Sequence, residues 1–166
     1  YIQPWNHTSS NIDDQPYISG KVKFIVVGLG SIGMPAYLRL HHEFKGCVIG
    51  VDYNQEKIDN LKNNDFHAVW GDVTDREFWE ESNWIAVEFV VLAMSDYASN
   101  VNTLRQINKL ASRSFKVGVI CHYEDEKEKF QSLGADLIYH YKTEVGEDFA
   151  DHAIENSDFF RKEAGK

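Results

Sequence analysis

Apolar and polar positions along this chain fall into two alternating patterns. Short apolar runs of strand length recur, and between them stand longer stretches with apolar residues at helical spacing. The runs predict strands over 22–27, 47–52, 67–70, 88–93, 116–121 and 136–140. The stretches between them predict helices over 31–44, 54–63, 75–82, 96–112 and 125–133, with a last helix over 144–156. Regular strand–helix alternation with near-continuous apolar strands predicts an α/β fold, a Rossmann-like doubly wound parallel sheet of six strands with helices on both faces. Strands one to three would form one half of it and strands four to six the other.

The segment before the first strand breaks this rhythm. Residues 1–20 contain Pro4, Pro16, Ser9, Ser10 and Asn11 among few regularly spaced apolar positions, and read as a linker. Ile2, Trp5, Ile12, Tyr17 and Ile18 are its candidates for docking on the domain. The domain itself is expected over 21–156, with a C-terminal tail over 157–166.

The turn after the first strand carries the strongest chemical signal. Gly28-Leu29-Gly30-Ser31-Ile32-Gly33 is a G-x-G-x-x-G sequence between a strand and a helix, and Asp52 ends the second strand 19 positions after Gly33 (52 − 33). In such units the first glycine permits a tight turn, the second lets a pyrophosphate approach the backbone, and the third lets helix and strand pack closely. The N–H groups opening the helix favour an anion. Asp52 is placed to accept hydrogen bonds from a ribose hydroxyl, or else to cap the helix after it.

Ligands of these sheets lie beyond the carboxyl ends of the strands, where the two halves meet. That locates Asp52, Tyr53 and Asn54, Gly71, Asp72 and Val73, and Ala93, Met94, Ser95 and Asp96 at one edge with the glycine turn. Asp72 reads as a contact to adenine or ribose, or as a turn residue. Ser95 and Asn100 read as contacts to phosphates or to a second ligand, with helix capping the other role open to Ser95 and Asp96.

Composition narrows the function. The net charge of −9 argues against nucleic-acid partners bound through phosphates. No apolar stretch approaches the ~18 residues of a membrane span, and no signal peptide is evident. The two cysteines, Cys47 and Cys121, read as small core residues rather than a disulfide framework. None of the seven histidines stands at a metal-ligand spacing. About 26 residues follow the sixth strand (166 − 140), room for a helix and a tail but not for a substrate domain. There is also no Tyr-x-x-x-Lys pair after the fourth strand. A nucleotide pocket without catalytic machinery predicts a sensor rather than an enzyme. The chain begins at Tyr1 without Met, as a segment of a longer protein would.

Val27 to Gly33, Val51-Asp52, Gly71-Asp72-Val73-Thr74-Asp75, Val90 to Met94 and Leu133-Gly134-Ala135-Asp136 together resemble the TrkA-N domain, also called the RCK N-terminal or KTN domain. The resemblance covers about residues 21–155. With Phe78-Trp79 and Val145 to Ala150, the wording is most similar to cytosolic domains of glutathione-gated potassium-efflux antiporters. The resemblance implies a homodimer that binds an adenine nucleotide (AMP or NAD/NADH, with ADP or ATP as further candidates). It also implies a transmembrane transport domain, of the same or a partner chain, regulated from the cytoplasmic face of the inner (plasma) membrane. This fragment itself would be soluble and would not insert. Carried over, Gly28, Gly30 and Gly33 would line the phosphates, Asp52 would hold the ribose, Asp72 and Val73 would border adenine, and Ser95 would close the far side. Leu29, Ser31, Ile32, Tyr53, Asn54 and Met94 complete the expected cofactor-binding set. Many members carry Arg between the second and third glycines. Ser31 stands there in this chain, which removes a charge-assisted contact, counts against a tightly held dinucleotide and leaves a mononucleotide such as AMP open beside it. The alternatives from the residues are the cofactor domain of an NAD-dependent oxidoreductase, or a module that kept the fold and lost its ligand.

Overall fold

The computed structural model describes residues 17, 18 and 20–157. Six parallel strands form one sheet in the order β3-β2-β1-β4-β5-β6. They are β1 (Phe24–Val27), β2 (Val48–Asp52), β3 (Ala68–Trp70), β4 (Phe89–Leu92), β5 (Lys116–Cys121) and β6 (Leu137–His140). The helices are α1 (Gly33–Glu43), α2 (Gln55–Asn63), α3 (Arg76–Glu80), α4 (Tyr97–Ile107), α5 (Lys127–Ser132) and α6 (Tyr141–Glu155). The order reverses between β1 and β4, where Val27 stands level with Val51 on one side and Leu92 on the other. This is the doubly wound, Rossmann-like arrangement that the alternation predicts.

Each face of the sheet buries its own cluster. Val26 and Val48 meet Leu29, Tyr37 and Ile58 under α1 and α2. Ile25, Val27, Val51, Val90, Leu92 and Val117 meet Phe78, Trp79, Leu104, Ile107 and Phe130 under α3, α4 and α5. All five residues of β2 are buried, because this strand is covered on both faces and flanked by β1 and β3. Ile18 is fully buried in the second cluster and Tyr17 packs on Phe78, so both join the packed domain although they fall within the expected linker. Ile2, Trp5 and Ile12, the rest of that linker, and the tail beyond Ser157 lie outside the described residues.

Several boundaries differ from expectation. The fourth helix ends at Ile107 rather than 112: Asn108 caps it, and a turn through Leu110 leads toward Phe115. The fifth is divided into a 3-10 turn (Glu124–Glu126) and α5. The sixth begins at Tyr141, directly after β6. Cys47 stands just before β2 and is half-buried, while Cys121 is buried in β5; both are free thiols. Among the described residues no helix is long and apolar enough to cross a membrane, and no group of potential ligands is arranged to hold a metal ion.

Candidate functional site

A cavity of about 430 Å³ opens at the carboxyl edge, where β1 and β4 part. Its size is typical of small-molecule sites. Its walls come from the β1–α1 turn, the ends of β2 and β3, the β4–α4 turn and the residue after β5.

The β1–α1 turn is built by close approach. Gly28 has φ of 83° and donates its N–H to the carbonyl of Val51 at 2.9 Å. A Cβ there would stand 2.8 Å from Met94 Cγ, so the turn can lie against the β4–α4 turn. A Cβ on Gly33 would meet the Gly28 carbonyl oxygen at 1.7 Å. A Cβ on Gly30 would meet nothing within 4 Å, and Gly30 lines the cavity. The first and third glycines thus serve packing, while the second leaves bare backbone facing open space. Helix α1 then starts with no side-chain cap and no acid in its first turn, and Pro35 within that turn has no N–H. The Met34 and Ala36 N–H groups turn to the Gly30 and Ile32 carbonyls, so what the helix end offers an external anion is the N–H groups ahead of Met34, at Ile32 and Gly33, together with its dipole.

Asp52 is buried, and its carboxylate organises the site from below. Oδ2 accepts the N–H of Leu29 at 2.8 Å and the Lys57 ammonium at 3.0 Å, and Oδ1 accepts the N–H of Asn54 at 2.9 Å. Burial pushes this carboxyl up, but the Asn54 N–H, the Lys57 ammonium and the Leu29 N–H outweigh it and hold the group below the usual carboxylate range. A carboxylate offers about four acceptor directions. One therefore remains for a ligand hydroxyl. Capping of α2 falls instead to Asn54, which accepts the N–H of Lys57 at 3.0 Å.

The β3–α3 loop is tied down from three sides. Asp72 accepts both the N–H of Thr74, at 2.9 Å, and its hydroxyl, at 2.6 Å. Trp79 Nε1 donates to the Val73 carbonyl at 2.7 Å, and Gln106 Nε2 of α4 donates to the Thr74 carbonyl at 3.1 Å. Asp72 therefore performs the turn role, and it also lines the cavity. Asp75 caps α3 and Asp96 caps α4, the latter accepting the N–H of Ser99 at 2.7 Å and its hydroxyl at 2.6 Å. Asp96 is held below the usual carboxylate range by the Ser99 hydroxyl first, then by backbone N–H donors.

The structure brings Gly28, Gly30, Ser31, Ile32, Asp52, Tyr53, Asn54, Asp72, Val73, Met94 and Ser95 to the cavity wall. It does not bring Leu29 there: its side chain is buried among Val26, Tyr37 and Ile58, because the chain leaves the strand at Gly28, whose φ of 83° breaks the alternation and turns Leu29 onto the face of Val26. Gly33 is likewise packed inside, against Gly28. Asn100 is fully buried and donates to the Met94 carbonyl at 2.9 Å, so it shapes the β4–α4 turn instead of facing a ligand. Sequence reasoning missed Lys57, Thr74, Ser99 and His122, which also line the cavity. Lys57 was findable, since it stands one helical turn after the Asn54 cap. His122 follows β5 immediately, the same carboxyl-edge location that singles out Asp52.

A family model for the TrkA-N domain matches residues 24–141. The chain belongs to the TrkA-N domain family. No curated protein matches the chain. Among solved structures, the NAD(P)-binding domain of an exopolyphosphatase-related protein from Archaeoglobus fulgidus is similar at 27% identity with a TM-score of 0.75, over 81% of this chain and 98% of that one. The TrkA-N domain of inner membrane protein ybaL from Escherichia coli shares the fold at 15% identity and a TM-score of 0.67, over 78% and 94% of the two chains. The GsuK channel bound to NAD shares it at 15% identity and a TM-score of 0.63, over 81% of this chain and 24% of the channel.

Proposed function

We propose that this TrkA-N domain binds an adenine nucleotide at the carboxyl edge of its sheet and passes that occupancy, as a homodimer, to a membrane transport protein for potassium or for cation:proton antiport. One observation carries the binding step: an uncapped helix N-terminus beside bare backbone at Gly30, with the buried carboxylate of Asp52 across the cavity. The first suits a phosphate and the second a ribose hydroxyl. Structures of the same fold come from GsuK with NAD and with ADP, and from an inner membrane protein, which supports the ligand class and a partner in the membrane. Within the family, the wording of 71–79 and 145–150 supports a place among regulators of potassium efflux at the cytoplasmic face. Regulation requires that the nucleotide bind one arrangement of the dimer more tightly than another.

The hydroxyls on the cavity wall that reach a carboxylate, Thr74 on Asp72 and Ser99 on Asp96, belong to a turn and a helix cap in which the same carboxylate also holds the backbone N–H, and this supports binding rather than catalysis. A second reading is favoured by the exopolyphosphatase-related relative: the domain would then regulate, or lend a cofactor to, an enzyme module on the same chain.

Thermal unfolding of the domain with AMP, ADP, ATP, NAD and NADH tests the binding step. A ligand at 100 times its Kd stabilises the folded state by about 2.7 kcal/mol. Gly30→Ala should melt like the parent, because its Cβ meets no atom, and should lose the ligand-induced shift. A panel in which no nucleotide raises Tm, or a Gly30→Ala variant that responds fully, would overturn the reading.

A further inference from the structure

Helix α6 is fastened to the domain at one end. None of its fifteen residues is buried, and it follows β6, the edge strand, with no linker between them. Among the described residues, its ring contacts and ion pairs with the rest of the domain all lie at its start. The Tyr141 ring meets the His122 ring edge-on, with centroids 5.7 Å apart. The Lys142 ammonium stands 3.8 Å from the centre of the Tyr123 ring. His140 Nε2 lies 4.0 Å from Glu124 Oε2, and its imidazole is also hydrogen-bonded to the Thr143 hydroxyl. All three partners, His122, Tyr123 and Glu124, belong to the turn that follows β5. That turn is fixed from its own side. Glu126 Oε2 accepts the N–H of His122 at 2.8 Å and of Tyr123 at 3.2 Å, and the Lys127 ammonium pairs with Glu124 at 2.9 Å.

We infer that the turn 122–124 is a latch that sets the direction of α6, and that His122 makes this setting depend on whether the cavity is occupied. The dependence rests on the nucleotide reading above. His122 faces both ways: it lines the cavity, and its ring touches Tyr141. Its Nε2 is buried and has no hydrogen-bond partner. A buried polar atom without a partner carries a penalty, which a ligand oxygen within reach removes. A ligand that pairs with Nε2 fixes the ring, and the ring is the surface on which Tyr141 packs. Tyr123 and Glu124 do not line the cavity, so they hold the pivot while His122 shifts. Occupancy moves the setting only as far as this pairing differs in strength between two directions of α6. The leverage is large. At 1.5 Å per residue α6 is about 22 Å long, so a rotation of about 15° at Tyr141 displaces its far end by about 6 Å. Val145, Phe149 and Ile154 are exposed along it, so an apolar surface moves with it. Helices α1 and α4 bury side chains in the core and stay with the sheet, whereas α6 gives up little packing when it turns.

The test is amide NMR of the isotope-labelled domain, titrated in turn with NAD, AMP, ADP and ATP. Gly30 and Ser31 report binding at the α1 turn, and the amides of 145–155 report α6. With a nucleotide that saturates the first pair, the second group should shift along the same titration curve. Tyr141→Leu keeps an apolar side chain outside the cavity wall. In it Gly30 and Ser31 should still shift, and 145–155 should stop responding. His122→Phe keeps a ring edge for Tyr141 but has no polar atom, and at saturating ligand it should silence 145–155 in the same way. Lys142→Ala tests the latch without ligand. Amide exchange at 145–148, whose N–H groups bond to carbonyls of the first turn, should quicken about two- to fivefold, the scale of one exposed cation–π contact. A parent in which Gly30 and Ser31 shift while 145–155 stay still overturns the inference and leaves the nucleotide site. So does a response at 145–155 that survives Tyr141→Leu or His122→Phe, since it would come from the ligand's own ring current or another route. Unchanged exchange in Lys142→Ala overturns the latch. No shift at Gly30 or Ser31 with any of the four ligands overturns the nucleotide reading, and this inference with it.

Discussion

The β1–α1 and β4–α4 connections are the same construction used twice. Each leaves a parallel strand at the carboxyl edge, turns, and starts an eleven-residue helix, and the two turns touch through Gly28 and Met94. They solve the problem of the helix's free N–H groups in opposite ways. The second turn supplies Asp96, whose carboxylate accepts from Ser99, and it fixes its own backbone through Asn100 and the Met94 carbonyl. The first supplies no cap, has Ile32 at the capping position, and spends its one nearby carboxylate, Asp52, on holding the turn through the Leu29 N–H. A helix end that its own sequence satisfies needs no ligand, whereas one left open and facing a cavity is prepared for an anion. The same contrast extends along the edge, since α2 and α3 are capped by Asn54 and Asp75.

The largest effect that bears on this contrast should come from Gly33→Ala. Its Cβ would lie 1.7 Å from the Gly28 carbonyl oxygen, a backbone atom that cannot rotate away. The turn and α1 would have to separate, with a loss of more than about 4 kcal/mol, at the exceptional end of single substitutions. Denaturant unfolding beside Gly30→Ala measures it. Equal stability of the two variants would mean that the close packing of the turn is not what sets the site.

Next in size is Asp52→Asn, which loosens the first turn while leaving the second intact. Asp52 is held below the usual carboxylate range when folded, so its contribution is present above the value of the unfolded chain and is lost as pH falls through the folded value. At neutral pH the variant should lose about 1.5–3 kcal/mol, the scale of hydrogen bonds to a charged group. The gap should start to close as pH drops below about 4, the ordinary carboxylate value. A gap constant from pH 7 down through that range would show that the charge of Asp52 does not hold the turn.

Much of this architecture was legible because single segments carried it. The glycine spacing and Asp52 lie within one strand–helix–strand unit, and the apolar runs needed no partner to be read as parallel strands. Roles that depend on contact between distant segments were not legible. Lys57 and Asp52 share an ion pair that the sequence spacing permits but does not announce, and Gln106 reaches Thr74 across 32 positions. Asn100 looks like a ligand contact by its place near the fourth strand, yet it faces inward and fixes a carbonyl. Leu29 falls inside the motif, but its side chain belongs to the core, so a motif position and a ligand contact are different statements. The start of α6 was read three residues late because His140, which precedes it, gives no side-chain cap to mark it.

The smallest effect is the most pointed, because it makes the first turn resemble the second. Ser31 is exposed and stands next to the capping position of α1. Ser31→Asp adds a carboxylate beside the open N–H groups. The backbone of Ile32 is helical rather than extended, so the new side chain gains from charge more than from a formed cap. The free domain should become more stable by about 0.5 kcal/mol, and the gain should fade with salt. Nucleotide binding should weaken far more than stability rises, since the added charge occupies the place of the phosphate. A variant that melts higher and no longer responds to nucleotide would show that α1 leaves its end open for the ligand's sake. One that binds as the parent does would move the phosphate away from α1, and the open helix end would then be a feature of the fold without a task in the site.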